Sequence, residues 1–341
     1  MNAFVIAPTW MGLSSDIVEG LNVLGYTVDF VKDKVSRYDP MNIRADRPLP
    51  STVIERKKLK YWKKFFSAQK YQKKYDLLLV VDGQFFHPYV KDYLKSVNPE
   101  LYSVNYLFDT IKGVHRFDKN FWCFDYVATF DRSESKKYNI SFLPIYWKKN
   151  DCAMSLTYSI FGFGTFSEYR YSIYKKLKRI FENNKVASRI ELFTPEIKSR
   201  RFFKYACFVK KILGQNPGIS LHEYDDEMIV HDIIDQTTFQ NILANVQVVL
   251  DTSPLHQDGM TARFMWALGL GKKIITTNDT IKEYSFYSDS QILVIPTNPN
   301  EISEKKVIDF INSPISVDDS KRKLIDDLEI IRWLEDLIHV H

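Results

Sequence analysis

The residues with most chemistry within reach of one another lie between Asp251 and Asn278. An apolar run, Val246 to Leu250, leads into a polar loop from Thr252 to Gly259, and a helix is expected to open at Met260 or Thr261. A helix N-terminus carries unpaired backbone N–H groups and a partial positive charge, so it suits a phosphate. His256, Gln257, Asp258, Gly259, Met260 and Thr261 would surround such an anion, and Arg263 could fork onto its oxygens. The plainer reading is an ordinary strand-to-helix turn, with Arg263 in a surface salt bridge. A second set lies in the first half of the chain. Asp82-Gly-Gln84 and Phe108-Asp-Thr110 end two apolar runs, so Asp82 and Asp109 are candidate acid/base groups or acceptors for ligand hydroxyls, and His115 follows in a loop. Helix capping is the alternative for the two aspartates, and simple solvation for His115 and His256.

The elements around these residues read as α/β. Ala3 to Ala7, a loop containing Gly12, a helix to about Leu24 with Asp16 and Glu19 as a capping pair, and Thr27 to Val31 make a β-loop-α-β opening. Strands are expected at Leu77 to Val81, Tyr102 to Phe108, Tyr126 to Phe130 and Ile140 to Pro144, with a helix from Pro88 to Val97. A second series begins with strand Leu156 to Phe161, loop Phe163 to Ser167 and helix Glu168 to Glu182. Strand Ile190 to Phe193, helix Arg201 to Leu213, strand Ile219 to Tyr224 and helix Phe239 to Leu243 come next. Strands Lys273 to Thr277 and Ile292 to Ile295 follow, and Asp318 to His339 reads as a helix. The expected domains are 1–150, 151–317 and a C-terminal helix, 318–341. Two doubly wound halves imply a cleft lined by loops at the carboxyl ends of strands. Gly12 and Gln84, in two such loops, are candidate acceptor contacts.

The 341 residues suffice for two domains, and a net charge of +5 fits an anionic ligand or surface without demanding nucleic acid. Cys123, Cys152 and Cys207 form no CxxC pair and no metal spacing, which suits a reducing compartment. Met1 to Gly12 lacks a basic flank and reads as a strand rather than a signal peptide. No Asp-x-Asp triplet is present to clamp a metal on a diphosphate, so no metal or cofactor is expected. The segment Arg56 to Lys74 is basic and aromatic. Trp62, Lys63, Phe65 and Phe66 would touch an anionic bilayer, or the aromatic stripe would pack on the first domain while the lysines face water. No nucleic-acid reader motif accompanies it.

"QDGMTARFMWALGLGKKIITTN", with "DTSP" before it and "IKEYSFY" after it, resembles the C-terminal half of bacterial GT-B glycosyltransferases of the group-1 type, found in capsule and lipopolysaccharide clusters. "FVIAPTWMGLSSDIVEGLNVLGYTVDFV", "YDLLLVVDGQ", "YSVNYLFDT" and "FDYVATFDRSESKKYNISFLPIYW" resemble their N-terminal half. The resemblance implies two Rossmann-like domains facing a central cleft, with the C-terminal helix packing back on the first. It implies a nucleotide-sugar held by the second half and a saccharide acceptor, lipid-linked at the cytoplasmic membrane face, held by the first. Gly259 to Thr261 would then meet the diphosphate, with Arg263, Gly164 and Arg170 close by and Lys175 a further candidate. Many relatives carry a glutamate for the donor ribose where this chain has Trp266; an indole has one donor and no acceptor, so ribose is held otherwise or Trp266 packs in the core. A nucleotide-sugar epimerase of the same architecture and a non-catalytic partner in polysaccharide assembly are the alternative readings.

Overall fold

The computed structural model describes residues 1–9, 12–33, 51–68, 71–111, 118–194, 227–253 and 258–338. The chain forms two units: unit 1 takes in Met1–Lys148, Leu255–Ala262 and Asp326–His341, and unit 2 takes in Lys149–Pro254 and Arg263–Ile325.

In unit 1 the order is β1 (Asn2–Ala7), α1 (Leu13–Val23), β2 (Thr27–Lys32), α2 (Ser51–Phe66), β3 (Leu77–Val81), α3 (Tyr89–Val97), β4 (Tyr102–Leu107), β5 (Tyr126–Thr129), α4 (Arg132–Tyr138) and β6 (Ser141–Phe142). The strands pair in parallel in the order β2-β1-β3-β4-β5-β6. Every residue of β3 is buried, as an apolar strand covered on both faces must be. Helix α1 opens at Leu13, so Asp16 lies inside its first turn and binds Lys148 at 3.0 Å instead of capping the helix.

Helix α2 supplies part of the cover. Trp62 and Phe66 are buried among Phe4, Leu78 and Val80, and Phe65 stacks on Tyr71 with centroids 4.1 Å apart. The Trp62 indole N–H donates to the Phe85 carbonyl at 3.0 Å. This corrects the expectation that Trp62, Phe65 and Phe66 form a membrane-facing stripe. A parallel sheet needs both faces covered, and burying these rings satisfies that need. Lys57, Lys60, Lys63 and Lys64 remain exposed.

Unit 2 follows the same plan with β7 (Ile160–Thr165), α5 (Glu168–Asn183), β8 (Ser188–Phe193), β9 (Ile229–Val230), α6 (Gln236–Asn245), β10 (Val248–Asp251), α7 (Ala262–Gly269), β11 (Lys273–Thr276), β12 (Ile292–Val294), α8 (Glu304–Asn312) and α9 (Asp319–Asp326). Its parallel order is β12-β11-β10-β7-β8-β9. Ser167 caps α5 and Asp235 caps α6, each accepting from the backbone N–H three residues on. Strand β7 starts four residues later than the sequence suggests, so Gly164 belongs to the strand and not to a loop. The expected helix Arg201 to Leu213 and strand Ile219 to Tyr224 lie outside the described residues.

The expected single C-terminal helix is two, α9 and α10 (Ile330–Ile338), because the chain pauses to pair with Trp147: the Trp147 N–H donates to Leu328 and the Ile330 N–H to Trp147. Helix α10 then packs on unit 1. Trp333 is fully buried, with its N–H on the Pro144 carbonyl at 2.8 Å and its ring edge-on to Tyr106. Gly20 of α1 permits the approach, since a Cβ there would sit 2.4 Å from a Leu334 methyl. Among the described residues no helix is long and apolar enough to cross a membrane.

Candidate functional site

Each sheet has one point where the direction of winding reverses, and loops leaving the two strands there diverge. In unit 2 the chain winds outward from β7 to β9, returns to β10, and then winds the other way to β12, so the reversal lies between β7 and β10. The carboxyl ends of these neighbours carry Gly164, Thr165, Asp251, Thr252 and Ser253.

Arg170, in the first turn of α5, bridges them. Its Nε donates to Thr252 Oγ1 at 2.6 Å, Nη2 to the Thr252 carbonyl at 3.1 Å, and Nη1 to the Thr165 carbonyl. A Cβ at Gly164 would lie 3.0 Å from the Arg170 Cζ, so the guanidinium rests across that glycine. Arg263, from α7, is more deeply held: Nη2 binds Asp251 Oδ1 at 2.9 Å and Nη1 donates to the Phe163 carbonyl. Asp251 is 1% exposed and takes a further bond from Thr276 Oγ1 at 3.1 Å. Arg263 is thus neither a free phosphate fork nor a surface ion pair. It neutralises a buried carboxylate, and removing it would strand that charge. Arg170 is half-buried, and burial followed by repulsion from Arg263 makes its protonated form less favourable than usual. Two guanidinium groups therefore face one carboxylate. Ser253 Oγ and Arg263 Nε are buried without a hydrogen-bond partner among the described residues.

The short segment 258–262 belongs to unit 1. Asp131 Oδ1 caps α4 by accepting from the Glu134 N–H at 3.0 Å. Its Oδ2 accepts from the N–H groups of Asp258 and Gly259 at 3.1 and 3.0 Å. Ser133 Oγ donates to the Asp258 carboxylate. Of the residues from Gly259 to Thr261 expected to meet a diphosphate, Gly259 thus gives its N–H to a protein carboxylate, as does the neighbouring Asp258, which corrects that expectation for Gly259; a carboxylate uses the same donors as a phosphate. Gly259 lies so close over Phe130 that a Cβ would come within 2.4 Å of the ring. Met260 is buried, Thr261 is half-buried, and His256 and Gln257 lie outside the described residues.

The reversal in unit 1 lies between β1 and β3. Gly12 stands there at φ 75°, as the N-cap of α1. After β3 the chain turns through Asp82 and Gly83, both at positive φ. Asp33, buried just past β2, holds that turn: its carboxylate accepts from the N–H groups of Gly83, Gln84 and Phe85 at 3.2, 2.9 and 2.9 Å. Asp82 Oδ1 in turn accepts from Phe108 and Asp109 at 2.8 and 3.0 Å, tying the loop after β4 to the loop after β3. Asp82 therefore fastens two loops, which neither the acid/base reading nor the capping reading anticipates. Asp109 is exposed, its Oδ1 accepting only from its neighbour Thr110 N–H among the bonds described. Gln84 is half-buried, and His115 lies outside the described residues. Asp33 carries no sequence signal, because its role depends on a turn fifty residues away.

Trp266 settles on the second of its two sequence readings. It is 4% exposed, packs edge-on to Phe239 with centroids 6.0 Å apart, and its indole N–H has no partner among the described residues. Lys175 turns its ammonium onto the Tyr171 hydroxyl at 2.7 Å.

No protein-family profile matches the sequence, and no curated protein sequence does. Solved structures do resemble the fold. The ligand-free structure of OtsA aligns with a TM-score of 0.56 at 11% identity over 100% of both chains. An alpha,alpha-trehalose-phosphate synthase (UDP-forming) from Burkholderia vietnamiensis aligns at 0.55 and 9% identity, covering 98% of this chain and 95% of that one. A sucrose-phosphate synthase from Thermosynechococcus elongatus aligns at 0.50 and 10%, covering 99% and 95%. At such identity the likeness is one of fold: two parallel six-stranded sheets with helices, the GT-B architecture.

Two predictions follow from these groups. Burial raises the Asp33 carboxyl to about 7 and the Asp82 carboxyl to about 8, with Asp33 adding to the latter shift. The folded chain then holds protons that the unfolded chain releases, so stability falls as pH rises from the ordinary carboxylate range through 7 to 8. Urea unfolding from pH 5 to 8 is expected to show that decline, and Asp82→Asn to flatten it; a slope unchanged in the variant would refute the assignment. Trp266→Phe removes an orphaned buried donor at little loss of packing, so its unfolding free energy should match or exceed that of the parent, by up to about 1 kcal/mol. A loss of several kcal/mol would mean that the indole N–H has a partner.

Proposed function

We propose that this protein is a glycosyltransferase that moves a sugar from a nucleotide-activated donor to a saccharide acceptor, lipid-linked, in the synthesis of a bacterial surface polysaccharide. One observation carries the reading: a half-buried arginine, Arg170, stands near a second guanidinium, Arg263, at the winding reversal of unit 2, where Asp251 is bonded to Arg263. A net positive site where loops diverge from a parallel sheet suits a diphosphate. In transfer, that charge would stabilise the departing nucleoside diphosphate as its bond to the sugar breaks. The neighbouring fold, seen in a UDP-forming synthase, and the resemblance of 257–278 to group-1 enzymes support the same reading.

Unit 1 would hold the acceptor beside Gly12 and Gln84. Of its two candidate carboxylates, Asp109 is the better placed to take a proton from an acceptor hydroxyl, because it is exposed while Asp82 is engaged with backbone donors. The exposed lysines of α2, Lys57, Lys60, Lys63 and Lys64, would give unit 1 a cationic face toward an anionic membrane carrying the acceptor.

Calorimetry with UDP, GDP and CMP tests the donor site. One of them should bind, and Arg170→Ala should weaken it at least ~tenfold, about 1.4 kcal/mol, with the fold retained by circular dichroism. Absence of binding to all three would overturn the reading, and interconversion of free nucleotide-sugars without transfer would replace it with an epimerase. Reversing the four lysines to glutamate should release the protein from phosphatidylglycerol vesicles in a sedimentation assay while leaving nucleotide affinity unchanged. Undiminished sedimentation would remove the membrane face from the proposal.

A further inference from the structure

We infer that unit 1 carries a binding cavity for a small anionic, hydroxyl-bearing molecule, walled in part by the α3 end of the loop that leaves β3. Its volume is about 400 Å³, and its wall includes Thr52, Glu55, Lys58, His87, Lys119 and Asn120. That volume falls in the range of small-molecule sites.

Three elements supply the wall: the first turns of α2, the loop between β3 and α3, and a 3-10 turn, Asp118–Cys123, ahead of β5. Lys58 is only 3% exposed. Its ammonium is fixed 3.2 Å from the Phe86 carbonyl and 3.3 Å from Glu55, so the cation is presented without the entropy cost of ordering a free lysine. Lys119 adds a second, exposed cation, and Glu55 is the acid on the wall. Thr52 is the second residue of α2, and among the described residues no acid lies in that helix's first turn, so its positive end adds to the two cations. These charges sum in favour of an anion.

The remaining groups read hydroxyls. His87 Nδ1 accepts the Tyr89 N–H at 3.0 Å, which leaves the ring proton on Nε2 as a donor. Burial keeps that ring neutral further down in pH than usual. Asn120 offers both a donor and an acceptor. Trp122, two residues on, is 77% exposed, and its N–H is tied back to the Lys119 carbonyl at 2.8 Å. A large apolar ring held in water is uncommon, and its face suits the C–H side of a sugar ring. The chemistry fits a sugar bearing a phosphate monoester or a carboxylate.

The cavity stands on unit 1 alone. That its ligand is the acceptor rests on the function proposed above, and it then gives that acceptor a negative charge. Titration of the full chain with inorganic phosphate, glucose 1-phosphate, glucuronate and glucose tests it. At least one of the two charged sugars should bind at least ~tenfold tighter than glucose, and which of them wins tells phosphate from carboxylate. Lys58→Met should abolish the difference. Should that variant misfold, Lys119→Ala with Asn120→Ala, both on the surface turn, should reduce it severalfold. Equal affinity for charged and neutral sugars, no binding of any probe, or a surface-turn variant that binds like the parent would each overturn the inference. UDP, GDP and CMP affinity measured in the same samples separates the two proposals. Retained nucleotide binding without acid binding removes the cavity alone, and the reverse removes the donor site alone.

Discussion

A parallel sheet forces its connections to cross from one edge of a strand to the other end of the next, and the crossing helices must cover both faces. Where the winding reverses, two adjacent strands send their chains apart. Their last backbone groups then lack the neighbours that the rest of the sheet provides. In unit 2 this happens between β7 and β10, and Arg170 fills the gap by donating to the carbonyls of Thr165, in β7, and Thr252, just past β10, and to the Thr252 hydroxyl. In unit 1 it happens between β1 and β3, and Asp33 fills a comparable role by holding three successive N–H groups of the turn after β3. The fold itself thus creates polar sites at both places, and the side chains that answer it differ in kind: an arginine in unit 2 and an aspartate in unit 1.

That difference organises the chemistry. The unit 2 reversal is cationic, because Arg263 is spent on Asp251 while Arg170, among the described residues, is bonded to carbonyls and a hydroxyl. The unit 1 reversal carries the carboxyl groups of Asp33 and Asp82, which are fastened to backbone donors, and Asp131, after β5, is fastened in the same way. Asp33, Asp82 and Asp131 each hold main-chain N–H groups remote in sequence. Burying a carboxylate is costly unless such donors meet it, and here the donors belong to loops that would otherwise be left untied. The acids that look reactive in the sequence are, in Asp82 at least, the fasteners of the loops around the site.

Burial decides the fate of the aromatic residues in the same way. The rings of α2 cover the sheet of unit 1, Trp266 fills the core of unit 2, and Trp333 returns from the far end of the chain to close unit 1. Trp122 remains in water on the 3-10 turn that carries Lys119.

The β3 run Leu77–Val81, the opening β-α-β and the helix from Glu168 were legible from apolar runs and caps, because those signals are local. The α/β class followed from their alternation, and the GT-B plan from the resemblance to group-1 enzymes. Strand β7 was misplaced because Leu156 reads as apolar, while the two glycines at 162 and 164 hide the true strand. The residue types of the site were legible too: Arg170, Arg263, Asp82 and Gly259 all stand at strand ends or helix starts. Their roles were not. Whether Arg263 meets a ligand or Asp251, whether the Gly259 N–H meets a phosphate or Asp131, and whether Trp62 meets lipid or Phe4 depends on which distant segment arrives beside each. A sequence fixes what a group can bond to; only the packed chain decides which of the competing partners is within three ångströms, since each donor bond is short-ranged and its partner lies tens of residues away.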